Sequence, residues 1–221
     1  MRVLITAGPT REFFDPVRFL SNPSSGKMGY ALAEEAARRG HSVTLISGPS
    51  SLIPKFKGRT SRVIRVVTAE EMYRAVIKHS PKANLIIMAA AVSDYRPVRY
   101  SAKKMKKKGR TQSILLAPTK DILKELGRRK KKGQILVGFA AETDRLIQNA
   151  SKKLREKNLD MIVANYVGRR VGGFESEKNR AILLFRHGRK MRFSLTSKIR
   201  LAQALLPAFL TGAVDSAGSS T

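Results

Sequence analysis

The 221-residue chain has no cysteine, which removes disulfides, thiolate metal sites and a cysteine nucleophile together. Histidine is almost as scarce. His41, His79 and His187 lie far apart and read as structural or surface residues, not as a metal site or a base. No GxSxG or HExxH motif occurs, no GxGxxG follows the first apolar segment, and no close pair of carboxylates sits in a motif context. No apolar run approaches the roughly 20 residues needed to cross a bilayer. The strand-like segment beginning directly after Arg2 leaves no room for a signal peptide, so the cytoplasm is the expected compartment.

Acidic residues are few: 16 against 44 Lys and Arg, a formal charge of +28. Such a chain attracts polyanions. Nucleic-acid binding, highly phosphorylated small substrates and a proteome-wide surface bias are competing explanations. Aromatic residues hardly interleave with the basic runs at 103–108 and 128–132, so the stacking platforms of single-strand binders are missing. Non-specific polyanion binding stays open as a consequence of charge alone.

An apolar fraction of 42% and a charged fraction of 27% describe a globular chain, long enough for one sizeable α/β core. Apolar runs at 3–7, 42–47, 63–68, 85–92, 112–117, 135–140 and 161–165 read as strands. Amphipathic stretches at 28–39, 69–79, 121–129, 144–157 and 197–210 read as helices, the last with Ile199, Ala202, Leu205 and Phe209 on its apolar face. This alternation predicts an α/β fold, Rossmann-like, with a mainly parallel sheet flanked by helices. Segments 181–185 and 190–195, joined across His187-Gly188, predict a C-terminal antiparallel hairpin. A single domain over 1–210 and a disordered tail over 211–221 are the simplest organisation.

Four segments can carry chemistry. Between Gly8 and Gly29 lies a loop containing Arg18, Asn22, Ser25, Gly26 and Lys27, opening at a strand's carboxyl end and leading into a helix. Unpaired N–H groups at such a helix start cradle anions, although a capped helix with an exposed lysine is an equal alternative. It is no Walker A loop: Ser21 stands where the first glycine belongs and Met28 follows the lysine. Ala90, Ala91 and Asp94 follow the 85–92 strand, where small residues admit a flat ring or a phosphate; a buried strand with an Asx turn is the plainer reading. Lys103, Lys104, Lys106, Lys107 and Lys108 surround Met105. Charge at that density suits either a flap ordered by polyphosphate or a solvated loop. Phe139 closes a further strand and Lys153 and Lys157 lie one helical turn apart beyond it.

Taken in order, Ile5-Thr6-Ala7-Gly8-Pro9-Thr10-Arg11-Glu12, Asp15-Pro16-Val17-Arg18, Ser24-Ser25-Gly26-Lys27-Met28-Gly29, Ala90-Ala91-Val92 with Asp94, the lysine run and Val137-Gly138-Phe139-Ala140-Ala141-Glu142-Thr143 resemble the phosphopantothenoylcysteine synthetase family. The likeness continues through Asn165 to Gly173-Phe174 and Asn179, nearly the whole chain. Many members carry this domain behind a flavin-containing decarboxylase. No flavin domain is present here, so a stand-alone form or an isolated domain is expected, with a separate decarboxylase in the pathway.

The resemblance implies a ligase that activates the carboxylate of 4′-phosphopantothenate with CTP, shielded by Mg2+, and couples it to L-cysteine. It implies that Asn22 handles the acyl-nucleotide and that Lys104, first of a KxKK flap with Lys106 and Lys107, neutralises its charge. Ala90, Ala91, Asp94, Phe139, Lys153 and Lys157 match nucleotide-pocket positions. Lys120, Asp121 and Ile122 fall on a Pro-Asp-Ile turn in which Lys120 replaces the proline. Arg18, Ser25 and Gly26 fall among the substrate-binding positions. The family is typically a homodimer. A dinucleotide-binding oxidoreductase is the alternative enzyme reading, disfavoured by the missing GxGxxG and by the absence of an acid after Leu45-Ile46-Ser47.

Overall fold

In the computed structural model, residues 1–56, 60–107, 109, 111–166 and 177–211 are described. The elements in chain order are β1 (Arg2–Ala7), β2 (Arg11–Phe13), β3 (Phe19–Ser21), α1 (Lys27–Arg38), β4 (Ser42–Ser47), β5 (Arg62–Arg65), α2 (Ala69–His79), β6 (Leu85–Met88) and β7 (Tyr95–Pro97). There follow β8 (Leu116–Pro118), α3 (Ile122–Arg129), β9 (Ile135–Glu142), α4 (Leu146–Glu156), β10 (Met161–Tyr166), β11 (Lys178–Phe185), β12 (Lys190–Ser197) and α5 (Lys198–Thr211).

Eight strands form one sheet in the order β12-β11-β10-β9-β6-β1-β4-β5. Six of them, β5 through β10 across the sheet, run parallel, while β11 and β12 add an antiparallel edge. Side chains on a strand alternate between faces, and β1 shows the consequence. Val3, Ile5 and Ala7 join a core with α1 and α5, whereas Leu4 joins the opposite core with α2, α3 and α4. Helices therefore cover both faces, as the near-continuous apolar strands require.

Side-chain caps fix two of the helix starts. Thr68 caps α2 by accepting the Glu71 amide at 3.2 Å, and Glu12 reaches across to accept the Ala69 amide at 2.8 Å. Asp121 caps α3 by accepting the Lys124 amide at 2.9 Å. Gly26 stands before α1 with no side-chain cap.

Several expectations change. The 85–92 strand leaves the sheet after Met88, because the β1 loop takes over its backbone donors. The Ala90 amide donates to Thr6 Oγ1 at 3.1 Å, Ala91 to the Gly8 carbonyl at 2.9 Å and Ser93 to Thr10 Oγ1 at 3.0 Å. The 112–117 strand shrinks to β8, which pairs only with β7 outside the main sheet. The β2–β3 hairpin had no periodic signal. Ile199 is 64% exposed, and the face of α5 that packs on α1 is instead Leu201, Ala202, Leu205, Leu206, Ala208 and Phe209. Thr211, expected to open the tail, closes α5; residues 212–221 and the Gly173-Phe174 likeness lie outside the described residues.

Candidate functional site

Strand order reverses between β1 and β6: from β1 the chain moves outward to β4, from β6 outward to β9. The loops leaving these two strands must part there, and ligands of open α/β sheets bind in the resulting crevice. A cleft of about 620 Å³ occupies this place. Its floor is the Ala89–Val92 segment, Phe139 and Ala141; one wall is the start of α1, the other the turn before α3 and one face of α4.

The cleft gathers residues separated by much of the chain. Asn22, Gly26, Ala90, Ala91, Asp94, Lys120, Asp121, Ile122, Phe139, Lys153 and Lys157 all line it. Asn22 Nδ2 donates to the carbonyls of Ala91 at 3.2 Å and Val92 at 3.1 Å. Both amide hydrogens are thereby used, and the side-chain oxygen is the group left to meet a ligand. Gly26 holds φ at +81°, and a Cβ there would stand 3.0 Å from the Gly8 nitrogen. This close contact seats the first turn of α1 against the β1 loop.

The opposite wall is an ionic one. Lys157 bonds Asp121 Oδ2 at 2.9 Å and Lys153 bonds Glu142 at 2.6 Å. Burial raises the Asp121 carboxyl, but the Lys124 amide and Lys157 outweigh it, so the group lies below the usual carboxylate range. Lys120 is tied to Glu70 at 3.1 Å and lies over the Tyr73 ring at 4.6 Å, directing its charge toward α2. Thr119 joins this wall to the floor, its amide donating to the Asp94 carbonyl at 2.8 Å and its hydroxyl to Ser93 at 2.7 Å.

Five expected residues stand apart from the cleft. Arg18 reaches the buried carboxylate of Asp15 through Nε at 2.9 Å and donates from Nη2 to the Met105 carbonyl at 2.6 Å. The Met105 amide returns a bond to Asp15 at 3.1 Å. Burial raises Asp15, yet these bonds together hold it well below the ordinary carboxylate value. Lys104, Lys106 and Lys107 are exposed on either side of this anchor, outside the cleft. Ser25 faces Ser50, whose hydroxyl donates to the Ser25 carbonyl at 3.0 Å. Arg18 is thus the tether of the lysine segment in this structure.

Residues absent from the expected set also line the cleft: Ser24, Tyr95, Thr119, Asn165, Asn179 and Lys198 among them. Asn165 ends an apolar run, and the rule that ligands gather at carboxyl ends of parallel strands was enough to find it. Lys198 opens an amphipathic helix remote in sequence and gave no local signal.

Residues 1–211 match the family model described as DNA/pantothenate metabolism flavoprotein C-terminal domain. Over 204 residues the chain is 48% identical to the coenzyme A biosynthesis bifunctional protein CoaBC of Bacillus subtilis (strain 168), covering 92% of this chain and 50% of that protein. It is 46% identical over 210 residues to a cysteine/cysteine sulfinic acid decarboxylase of an unknown prokaryotic organism, covering 95% of this chain and 58% of that protein. A crystal structure of the C-terminal domain of CoaBC matches with a TM-score of 0.80 and 42% identity, over 97% of this chain and 96% of that one. The chain spans about half the length of the curated relatives it matches. With its sheet, its cleft and its motifs in agreement, the chain belongs to the DNA/pantothenate metabolism flavoprotein C-terminal domain family.

Proposed function

We propose that this chain is a phosphopantothenate–cysteine ligase of coenzyme A biosynthesis, working in the cytoplasm with CTP as co-substrate. The observation that carries the reading is the convergence of Asn22, Asp94, Phe139, Lys153 and Lys157 on one cleft at the sheet's switch point. The kinship with the C-terminal domain of CoaBC supports it.

In this reading the carboxylate of 4′-phosphopantothenate attacks the α-phosphorus of CTP. An oxygen–phosphorus bond forms, and pyrophosphate leaves with the electron pair of the broken one. The amine of L-cysteine then attacks the acyl carbon, CMP departs, and the amine gives up a proton as the amide forms. No step needs a covalent bond to the protein. The work is positioning and charge neutralisation. Asn22, its nitrogen committed to Ala91 and Val92, presents a fixed oxygen suited to an incoming amine. Lys153 and Lys157, with Phe139, serve the nucleotide; Lys104, Lys106 and Lys107 close over the intermediate from the Asp15 anchor.

Among the described residues no three His, Cys, Asp or Glu side chains gather to hold a metal ion. Asp121, one of the cleft's carboxylates, is occupied by Lys157. Magnesium would accordingly ride on the triphosphate, and nothing above depends on it. A homodimer, and a separate decarboxylase that takes up the product, complete the picture.

The test is a mixing experiment with each nucleoside triphosphate in turn. CMP and pyrophosphate should form only when CTP and 4′-phosphopantothenate are both present, with amide following once cysteine is added. No cleavage of any triphosphate under these conditions would defeat the proposal.

A further inference from the structure

The basic run at 128–132 has no part in the chemistry above, and the fold sets it away from the cleft. The parallel strands begin at one edge of the sheet, and the cleft lies at the other. Helices α2 and α3 return to the edge where strands begin, ending at His79 and Arg129. Gln134 ties the segments beyond them together, its Nε2 donating to the carbonyls of Ser80 at 2.9 Å and Ala83 at 2.7 Å. Lys131 Nζ donates to the Pro81 carbonyl at 3.2 Å. Segments 78–82 and 128–132 therefore form one surface.

Lys78, Lys82, Arg128, Arg129, Lys131 and Lys132 are all exposed on it. Glu125 bonds both arginines. Among the described residues, no carboxylate pairs with any of the four lysines. Of the acids nearby, Asp160 is taken by Lys130 at 2.8 Å and Glu156 by Lys152 at 3.9 Å. Cations in a last helical turn serve the negative end of the helix dipole, but Lys82, Lys131 and Lys132 lie beyond both helices. His79 registers the resulting field: burial first, then the charges of Arg62, Lys78 and Lys82, push its imidazole below the usual value. Arg62, with Nη2 3.1 Å from His79 Nδ1, continues the surface along the strand starts.

We infer that this rim is a docking surface for the phosphate backbone of double-helical nucleic acid, separate from the cleft and independent of the ligase reading. Six exposed cations share one carboxylate, Glu125, and repel one another. A row of phosphates relieves that repulsion and releases its own counterions. Neither segment holds a Phe, Tyr, Trp, Leu, Ile, Met or Val. The surface thus has no platform on which to stack an unpaired base and no apolar wedge to enter a bilayer. Contacts to the backbone alone carry no sequence information, so the surface accepts any duplex.

Fluorescence anisotropy of the full chain with labelled mixed-sequence DNA and RNA duplexes, read over a series of salt concentrations, tests this. The rim variant is Lys82→Gln/Lys131→Gln/Lys132→Gln. A control, Lys55→Gln/Arg192→Gln/Arg200→Gln, removes the same charge from exposed positions elsewhere. The wild type should bind both duplexes alike. The rim variant should bind them about tenfold to a hundredfold more weakly, with a log–log salt slope shallower by about 2–3. The control should stay close to the wild type. Equal weakening in both variants would overturn the surface and leave net charge as the whole cause. A wild type that binds no duplex, or binds the matching single strands more tightly, would overturn it too. So would tighter capture by phosphatidylserine–phosphatidylcholine vesicles than by duplex, lost in the rim variant.

Discussion

Replacing Gly26 by alanine tests how the cleft's α1 wall is built, and Gly40 supplies the control. Both glycines sit in the left-handed region, at φ +81° and +79°. They differ in surroundings. A Cβ on Gly40 meets nothing within 4 Å, whereas one on Gly26 stands 3.0 Å from the Gly8 nitrogen and 3.1 Å from its Cα. These are backbone atoms and cannot rotate away. An L-residue in the left-handed region costs about 1–2 kcal/mol, partly offset by the lower entropy of the unfolded chain, about 0.4–1 kcal/mol. Gly40→Ala should therefore lose about 0–1.6 kcal/mol. Gly26→Ala adds an overpacking cost of about 1–3 kcal/mol. Urea unfolding reads the difference: at a slope of about 2 kcal/mol/M, the two variants should separate by about 0.5–1.5 M in midpoint. CTP affinity should fall only in Gly26→Ala, because Gly40 follows the far end of α1. Equal losses in both variants, or a Gly26→Ala midpoint at the wild-type value, would refute the contact argument.

Other expectations are as direct. Asn22→Asp turns an amide nitrogen into a carboxylate oxygen facing the Ala91 and Val92 carbonyls at 3.2 and 3.1 Å. With two acceptors left unpaired, turnover should drop by about a hundredfold and acyl-nucleotide should accumulate in quenched samples; normal turnover would remove Asn22 from the mechanism. Asp15→Asn weakens the anchor that Arg18 and Met105 share, so the Met105 amide should exchange hydrogen about tenfold faster; unchanged protection would show that the lysine segment is held elsewhere. Glu125 is held at about 2, against an ordinary value of 4.5, chiefly by Arg128 and then Arg129. A lowered folded-state value gives stability that is full above 4.5 and lost as pH falls toward about 2. Glu125→Gln should flatten the acid limb of the unfolding curve in that window, and an unaltered limb would count against the ion pair.

The expected α/β class and the C-terminal hairpin were legible because period and length carry them. Continuous apolar runs such as Leu85-Ile86-Ile87-Met88 can only be buried on both faces, and the i, i+4 stripe of Leu146, Ala150 and Leu154 can only face a core. Where side chains outside the run compete for the backbone, periodicity fails. Thr6 and Thr10 draw residues 90–93 out of the sheet, and nothing between Leu85 and Val92 announces it. The β2–β3 hairpin, held partly by Phe13 against Phe19 at 5.2 Å, is too short to leave a period.

Residue identity by itself determined the chemistry on offer: without cysteine and with isolated histidines, this chain must act on its ligands mainly through amides, hydroxyls, ammonium and guanidinium groups and carboxylates. Tertiary structure decided which of these meet. It turned Lys157 onto Asp121 and Lys120 onto Glu70, tied Arg18 to Asp15 instead of the cleft, and brought Lys198 beside Lys27 across 171 positions of chain. Charge pairing and burial depend on distances in space. Local sequence fixes those only within a helix turn or a strand, and the order of strands in the sheet sets the rest.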